Sequence, residues 1–139
     1  AIELHMQLQP GLPPVLAEPV ALQQIIHNLL MNALQALEQV PPAERQLRLS
    51  MARAESGRTT LSVRDHGPGI PPEARQHLFE PFYTTRTGGL GLGLTLCESL
   101  AQAMGAQLAL APEATPTSAA QRGAEFVLTL QAAPPTDDR

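Results

Sequence analysis

Residues 19–39 read PVALQQIIHNLLMNALQALEQ. Leu22, Ile25, Ile26, Leu29, Leu30, Ala33 and Leu37 recur with a 3.6-residue period, which predicts a helix with one buried stripe. Pro19 suits the first helical position, and Pro41-Pro42 stops the helix. A polar row of Gln24, Asn28, Asn32 and Gln35 runs beside the apolar stripe rather than opposite it. Asn28 and Asn32 are one turn apart, so they stack on one face. Amides edging a core suit the wall of a groove, and an amide oxygen is a hard ligand fit for Mg²⁺. The same pattern also fits a solvated helix face.

Outward from this helix the period changes to two. Residues 46–54 place Leu47, Leu49 and Met51 inward and Arg48 and Ser50 outward; residues 59–65 form a second strand, and Ser56-Gly57 turns between them. Upstream, 1–8 and 14–17 read as short strands around Gln9-Pro10-Gly11. Downstream, 66–71 is a Gly/Pro-rich loop, Pro72 to Phe79 a short helix, and 80–92 a polar, Gly-rich stretch without period. A helix over about 92–104 buries Leu96, Cys97, Leu100, Ala101 and Met104 and ends at Gly105. Strands at about 107–111 and 123–131 flank the loop 112–122. One domain over 1–131 is expected, followed by a disordered tail, 132–139. The layout predicts an α/β fold, a two-layer sandwich with helices on one face of a mostly antiparallel sheet.

Composition narrows the function. The 139 residues carry a net charge of −4, with 43% apolar and 16% charged residues. This is enough for one core, and it is no electrostatic footprint for nucleic acid or an anionic membrane. All nine basic residues are arginine, so a lysine-dependent phosphate loop of the GxxxxGK[ST] kind is excluded. The single cysteine, Cys97, lies at an apolar helical position and reads as core packing in a reducing cytosol. No apolar run is long enough to span a bilayer, and the first residues lack a signal-peptide charge pattern. A start at Ala1 reads as the start of a fragment.

Three further stretches carry chemistry. In Thr59–Asp65, Leu61, Val63 and Asp65 share one strand face, so Asp65 points to the core at the strand's end. A carboxylate there needs a hydrogen-bond donor, and a purine's exocyclic amine would serve; an Asp capping the turn before Gly67 is the simpler reading. The glycines of Asp65-His66-Gly67-Pro68-Gly69 let backbone approach a flat ring. Gly88-Gly89-Leu90-Gly91-Leu92-Gly93-Leu94 opens the second long helix, whose free N–H groups suit phosphate, though a flexible linker reads similarly. In Phe79-Glu80-Pro81-Phe82-Tyr83-Thr84-Thr85-Arg86, two phenylalanines anchor a segment and Thr84, Thr85 and Arg86 offer donors to phosphate. Plain hydrophobic anchoring of an exposed loop is the alternative there.

Taken in this order, the stretches resemble the catalytic domain of bacterial sensor histidine kinases, in the Bergerat (GHKL) ATP-binding family. The N box is matched by Asn28-Leu29-Leu30-Met31-Asn32-Ala33 and the G1 box by Asp65-His66-Gly67-Pro68-Gly69. The F box is matched by Phe79-Glu80-Pro81-Phe82 and the G2 box by Gly89-Leu90-Gly91-Leu92-Gly93-Leu94. Gly123 to Leu130 resembles the family's last strand. The resemblance implies the Bergerat fold and binding of ATP with Mg²⁺. Asn32 would hold the metal, with Asn28 assisting at the phosphates, and Asp65 would accept the adenine amine. Gly67 and Gly69 would shape the adenine pocket, Gly89, Gly91, Leu92 and Gly93 would follow the phosphates, and Thr129 would face the adenine. The implied reaction passes the γ-phosphoryl group to a histidine on a separate dimerisation domain, with a response regulator as indirect partner.

Two departures stand out. Many members carry a cation three residues after the metal-binding Asn, where this chain has Gln35, which leaves Arg86 as the cation for phosphate. The segment from Phe82 to Gly89 is also short, which resembles the subgroup of nitrogen-regulation and dicarboxylate sensors. None of His5, His27, His66 and His77 lies in a phosphoacceptor context, so the acceptor is expected outside this chain. Gyrase-type members place a water-activating Glu one turn before the metal-binding Asn; here that residue is Asn28, an amide, which argues for phosphoryl transfer over hydrolysis. The same point weighs against an anti-sigma-type serine kinase, and a non-catalytic nucleotide-binding module is the third reading. A cytoplasmic domain is expected, of a protein whose other parts can be membrane-anchored.

Overall fold

The computed structural model describes residues 2–67, 69–70, 72–80, 93–111 and 123–133. Five strands, β1 (Glu3–Leu8), β2 (Gln46–Arg53), β3 (Thr59–Asp65), β4 (Gln107–Leu110) and β5 (Ala124–Leu130), form one sheet in the order β1-β2-β3-β5-β4. Helix α1 (Pro19–Leu37) lies over β3 and α3 (Gly93–Ala103) over β4, and the two helices pack on each other; a single turn, α2 (Pro72–Arg75), lies between them in sequence. β2, β3, β5 and β4 pair antiparallel, whereas β1 pairs with β2 in parallel. The fold is the expected two-layer α/β arrangement with a mixed sheet.

α1 begins with Pro19 at its first position and Glu18 as its cap. The Glu18 carboxylate accepts from the N–H of Val20 at 3.2 Å and of Ala21 at 2.7 Å. A negative charge there also suits the positive end of the helix dipole. Past the other end, Arg45 donates from Nε to the Val40 carbonyl at 3.1 Å and from Nη2 to that of Glu38 at 3.4 Å. These bonds satisfy carbonyls that have no partner further along the helix. The buried stripe is Ile25, Leu29, Ala33 and Leu37. Each fully buried Ile or Leu contributes about 1.5–3 kcal/mol.

α3 ends as its sequence predicts. Gly105 takes φ +73°, its N–H donates to Gln102 at 3.1 Å, and the Ala106 N–H reaches back to Ala101 at 2.8 Å. This is the Schellman pattern, which requires a left-handed residue that glycine adopts without strain. Cys97 and Ala101 bury the helix against the core. Leu96 does not join them and is 44% exposed, contrary to the sequence expectation. It sits one position, about 100°, around the helix from Cys97, on the flank of a stripe narrower than the sequence suggested.

The stretch 14–17 does not form a strand with 1–8. Only Val15 makes a bridge, to Ala132, supported by Leu16 N–H to Gln131 at 2.8 Å and Ala133 N–H to Pro14 at 2.8 Å. Pro13 and Pro14 have no N–H to give a ladder. β1 instead takes the far edge beside β2. Its apolar residues Leu4, Met6 and Leu8 share the helix-side face with Leu47, Leu49 and Met51 yet stay 54–55% exposed, because α1 lies over β3 and α3 over β4, away from this edge. The core therefore centres on β3, β5, α1 and α3.

Candidate functional site

Burial alternates strictly along β3, with Thr59, Leu61, Val63 and Asp65 on the helix side. The strand's period thus carries a carboxylate into the layer between sheet and helices, where Asp65 is 3% exposed. A buried charge needs donors. The Gly67 N–H donates to Asp65 Oδ1 at 2.9 Å, and the N–H of Ala124, the register partner of Asp65 on β5, donates as well. Burial nonetheless pushes the carboxyl above its ordinary value of 3.8, against the pull of these two N–H groups, of the nearby Arg64 charge and of its own backbone N–H. A carboxylate has about four acceptor sites. The two backbone bonds leave capacity for a donor from a ligand.

The G1 glycine holds α1 and Asp65 together. A Cβ on Gly67 would stand 2.9 Å from Asp65 Oδ1 and 3.2 Å from both the Cβ and the carbonyl oxygen of Ala36. Ala36 is four residues beyond Asn32, which is four beyond Asn28, so each step along α1 is about 6 Å. The row Ala36, Asn32, Asn28 therefore leads away from the carboxylate along one edge of the helix, and all three are half-buried. Gln24 Nε2 donates to Asn28 Oδ1 at 3.2 Å. The Asn28 side chain also hydrogen-bonds the Cys97 thiol on α3; burial pushes that thiol up in spite of the bond. The amide row thus faces the seam between α1 and α3, the helix that Gly93 opens. Gln35 is exposed. Gly69, two residues past Gly67, takes φ +84°.

Thr129 is not brought to this group. Alternation along β5 puts Ala124, Phe126, Leu128 and Leu130 inward and Thr129 on the outer face, paired with Thr60 and Gln107. Asp65 and Thr129 lie on opposite faces of the sheet. Thr85, Arg86, Gly89, Gly91 and Leu92, with Pro81 and Phe82 of the F box, lie outside the described residues. His66 is half-buried, and burial together with the charges of Arg64, Arg48 and His5 holds its imidazole below the usual range. His5 and His77 each stand beside a carboxylate, Glu3 at 3.0 Å and Glu80 at 2.7 Å. Among the described residues no three of His, Cys, Asp and Glu gather as a metal site. No helix among them is long and apolar enough to cross a membrane.

Three residues of the site were not singled out from sequence. Ala36 continues the amide row by one more turn, and the helical period could have found it. Ala124 and Gly123 are set by strand pairing. A Cβ on Gly123, at φ +139°, would fall 2.0 Å from the Asp65 carbonyl oxygen, so only glycine brings β5 this close to the end of β3.

Residues 17–134 match the family model described as histidine kinase-, DNA gyrase B-, and HSP90-like ATPase. The sensor protein TdiS of Thauera aromatica is 32% identical over 130 residues, 93% of this chain and 23% of that protein. The C4-dicarboxylate transport sensor protein DctB of Pseudomonas aeruginosa is 46% identical over 97 residues, 68% of this chain and 15% of that protein. The chain thus spans a quarter or less of these relatives. Full-length ShkA, crystallised with AMPPNP, superposes with a TM-score of 0.74 at 32% identity over 96% of this chain and 26% of that one. With the family model covering most of its length and the two-layer fold in place, this chain belongs to the histidine kinase-, DNA gyrase B- and HSP90-like ATPases.

Proposed function

We propose that residues 1–131 are the ATP-binding catalytic domain of a sensor histidine kinase, which passes the γ-phosphoryl group of ATP to a histidine on a separate dimerisation domain and thence to a response regulator. One observation carries the reading: Asp65 is buried, held by two backbone N–H groups, and joined through Gly67 and Ala36 to the amide edge of α1. The carboxylate is the acceptor for the adenine amine, and Gly67 lets the ring lie close to the backbone. Asn32, one turn along, would hold Mg²⁺, which supplies charge neutralisation between the phosphates when bound. A single neutral amide fits an ion that keeps most of its shell as water and phosphate oxygen. Asn28, Thr85, Arg86, Gly89, Gly91, Leu92 and Gly93 complete the phosphate end in this reading. Asn28 cannot take a proton from water, which favours transfer over hydrolysis. Likeness to the dicarboxylate sensor DctB supports the compact-lid subgroup.

Incubating the chain with Mg-ATP and a histidine-bearing dimerisation domain is expected to yield an acid-labile, base-stable phosphoprotein. Steady ATP hydrolysis without phosphoprotein would contradict the assignment.

Binding should also depend on acidity. Asp65 is the stronger acceptor, with no competing O–H, when ionised, and its carboxyl titrates above the ordinary 3.8. ATP affinity is therefore expected to fall on acidification at a higher pH than an unperturbed Asp would give. Stability of the free domain has the opposite sign. The folded state holds this proton more tightly than the unfolded chain, so the contribution is full below 3.8 and disappears as pH rises through the raised value. Calorimetric titration at a series of pH values measures the first trend; an affinity flat down to the ordinary Asp range would remove Asp65 from the adenine-binding role.

A further inference from the structure

We propose that Thr95 is a positioning residue for the phosphate end of the site: its hydroxyl ties the first turn of α3 to Phe79 and thereby sets where that turn stands relative to Asp65. The inference rests on the nucleotide-binding reading above. Thr95 is the third residue of α3, and its Oγ1 donates to the Phe79 carbonyl at 2.9 Å in a half-buried setting. A helical threonine commonly turns its hydroxyl back to a carbonyl one turn earlier in its own helix. Here the hydroxyl leaves the helix for another segment. Its neighbours in the first turn, Gly93, Leu94 and Leu96, carry no side-chain donor or acceptor that could do the same.

Phe79 is itself held. Its ring meets that of Phe126 edge-on, with centroids 6.4 Å apart and planes at 89°. Phe126, 2% exposed, is two residues along β5 from Ala124, whose N–H bonds Asp65. A continuous line of contacts thus runs from the adenine carboxylate through β5, Phe126 and Phe79 to Thr95 and the start of α3. On its other side α3 is held beyond its first turn, by the apolar packing of Cys97 and Ala101 and by the thiol's bonds to the Ile25 carbonyl, at 3.9 Å, and to the Asn28 side chain. The Thr95 bond is directional, and it acts on the turn whose N–H groups face phosphate in this reading. Hydrogen bonds from those groups weaken steeply with misalignment. Loss of the Thr95 bond should therefore reach the phosphates and leave the adenine end intact.

The experiment compares the chain with its Thr95→Val and Thr95→Ser variants. Mg-ATP affinity is measured by calorimetry and adenosine affinity by displacement of a fluorescent ATP analogue. Thr95→Val is expected to bind ATP roughly fivefold more weakly, the factor that one lost neutral hydrogen bond sets. Its affinity for adenosine should stay as in the unsubstituted chain, and Thr95→Ser should match that chain for both ligands. Unchanged ATP affinity in Thr95→Val overturns the proposal, as does an equal loss for adenosine and ATP, which marks a merely structural role. A Ser variant that loses ATP selectively shows that the hydroxyl is not the cause and overturns it too. If Thr95→Val does not fold, Thr95→Ala against Thr95→Ser gives the same comparison. An unsubstituted chain that binds neither ligand sinks the nucleotide-binding reading first, and is told apart by appearing before any substitution.

Discussion

Gly123→Ala is expected to cost this domain about 3–5 kcal/mol, enough to lower its melting temperature by about 10 °C or more. Two effects add. The backbone at φ +139° belongs to a region that residues with a Cβ rarely enter, and the new methyl would stand 2.0 Å from the Asp65 carbonyl oxygen and 3.0 Å from its carbon. Those atoms are backbone, so no rotamer change relieves the clash, and the strands must separate. A domain of this size has about 5–15 kcal/mol in total, so the variant is marginal even if it folds. Where it folds, separation draws the Ala124 N–H away from the carboxylate and weakens ATP binding as well. Urea denaturation with a matched nucleotide titration measures both; a variant as stable as the unsubstituted chain would show that the approach of β5 to β3 is not as tight as described.

Asp65→Asn is expected to weaken ATP binding by about 2–4 kcal/mol, or roughly 30- to 1,000-fold, and to erode the preference for ATP over GTP. The carboxylate accepts from Gly67 and Ala124 and, in the proposed reading, from the adenine amine. An asparagine has one acceptor oxygen and one donor group. If its oxygen faces the two backbone N–H groups, its NH₂ opposes the adenine amine. If it is flipped, the NH₂ opposes a backbone donor with no water to relieve it. Removing the charge also removes the desolvation cost that raises the Asp65 pKa, so the free domain should be no less stable and can gain. Weaker binding without weaker folding separates recognition from structure. Equal ATP and GTP affinities in both proteins would remove Asp65 from purine recognition.

Much of the site was legible because it rests on local periods. Asn28 and Asn32 share a helix face through spacing alone, and Asp65 points inward because Leu61 and Val63 do. Gly105 as the end of α3 and the hairpin of β2 with β3 follow from the same kind of local evidence. The reading of Thr129 failed differently. Its place in the motif was carried over by position in the last strand, yet counting inward from Ala124 by twos leaves Thr129 on the outer face. The register that makes Ala124 the partner of Asp65 could not be read from either strand separately. Leu96 was misplaced because a helical period identifies a stripe but not its width, and the width depends on what packs against it.

The amino-acid order alone determined α1, α3, the five strands of the sheet and the inward carboxylate, because backbone geometry repeats every 3.6 or 2 residues whatever lies nearby. Tertiary structure alone decided that β1 runs parallel to β2 at the far edge, that Gly123 and Ala124 close on Asp65, and that Thr95 reaches Phe79. Those are choices between neighbours, made by burial and hydrogen bonding summed over segments distant in sequence, and no local period records them.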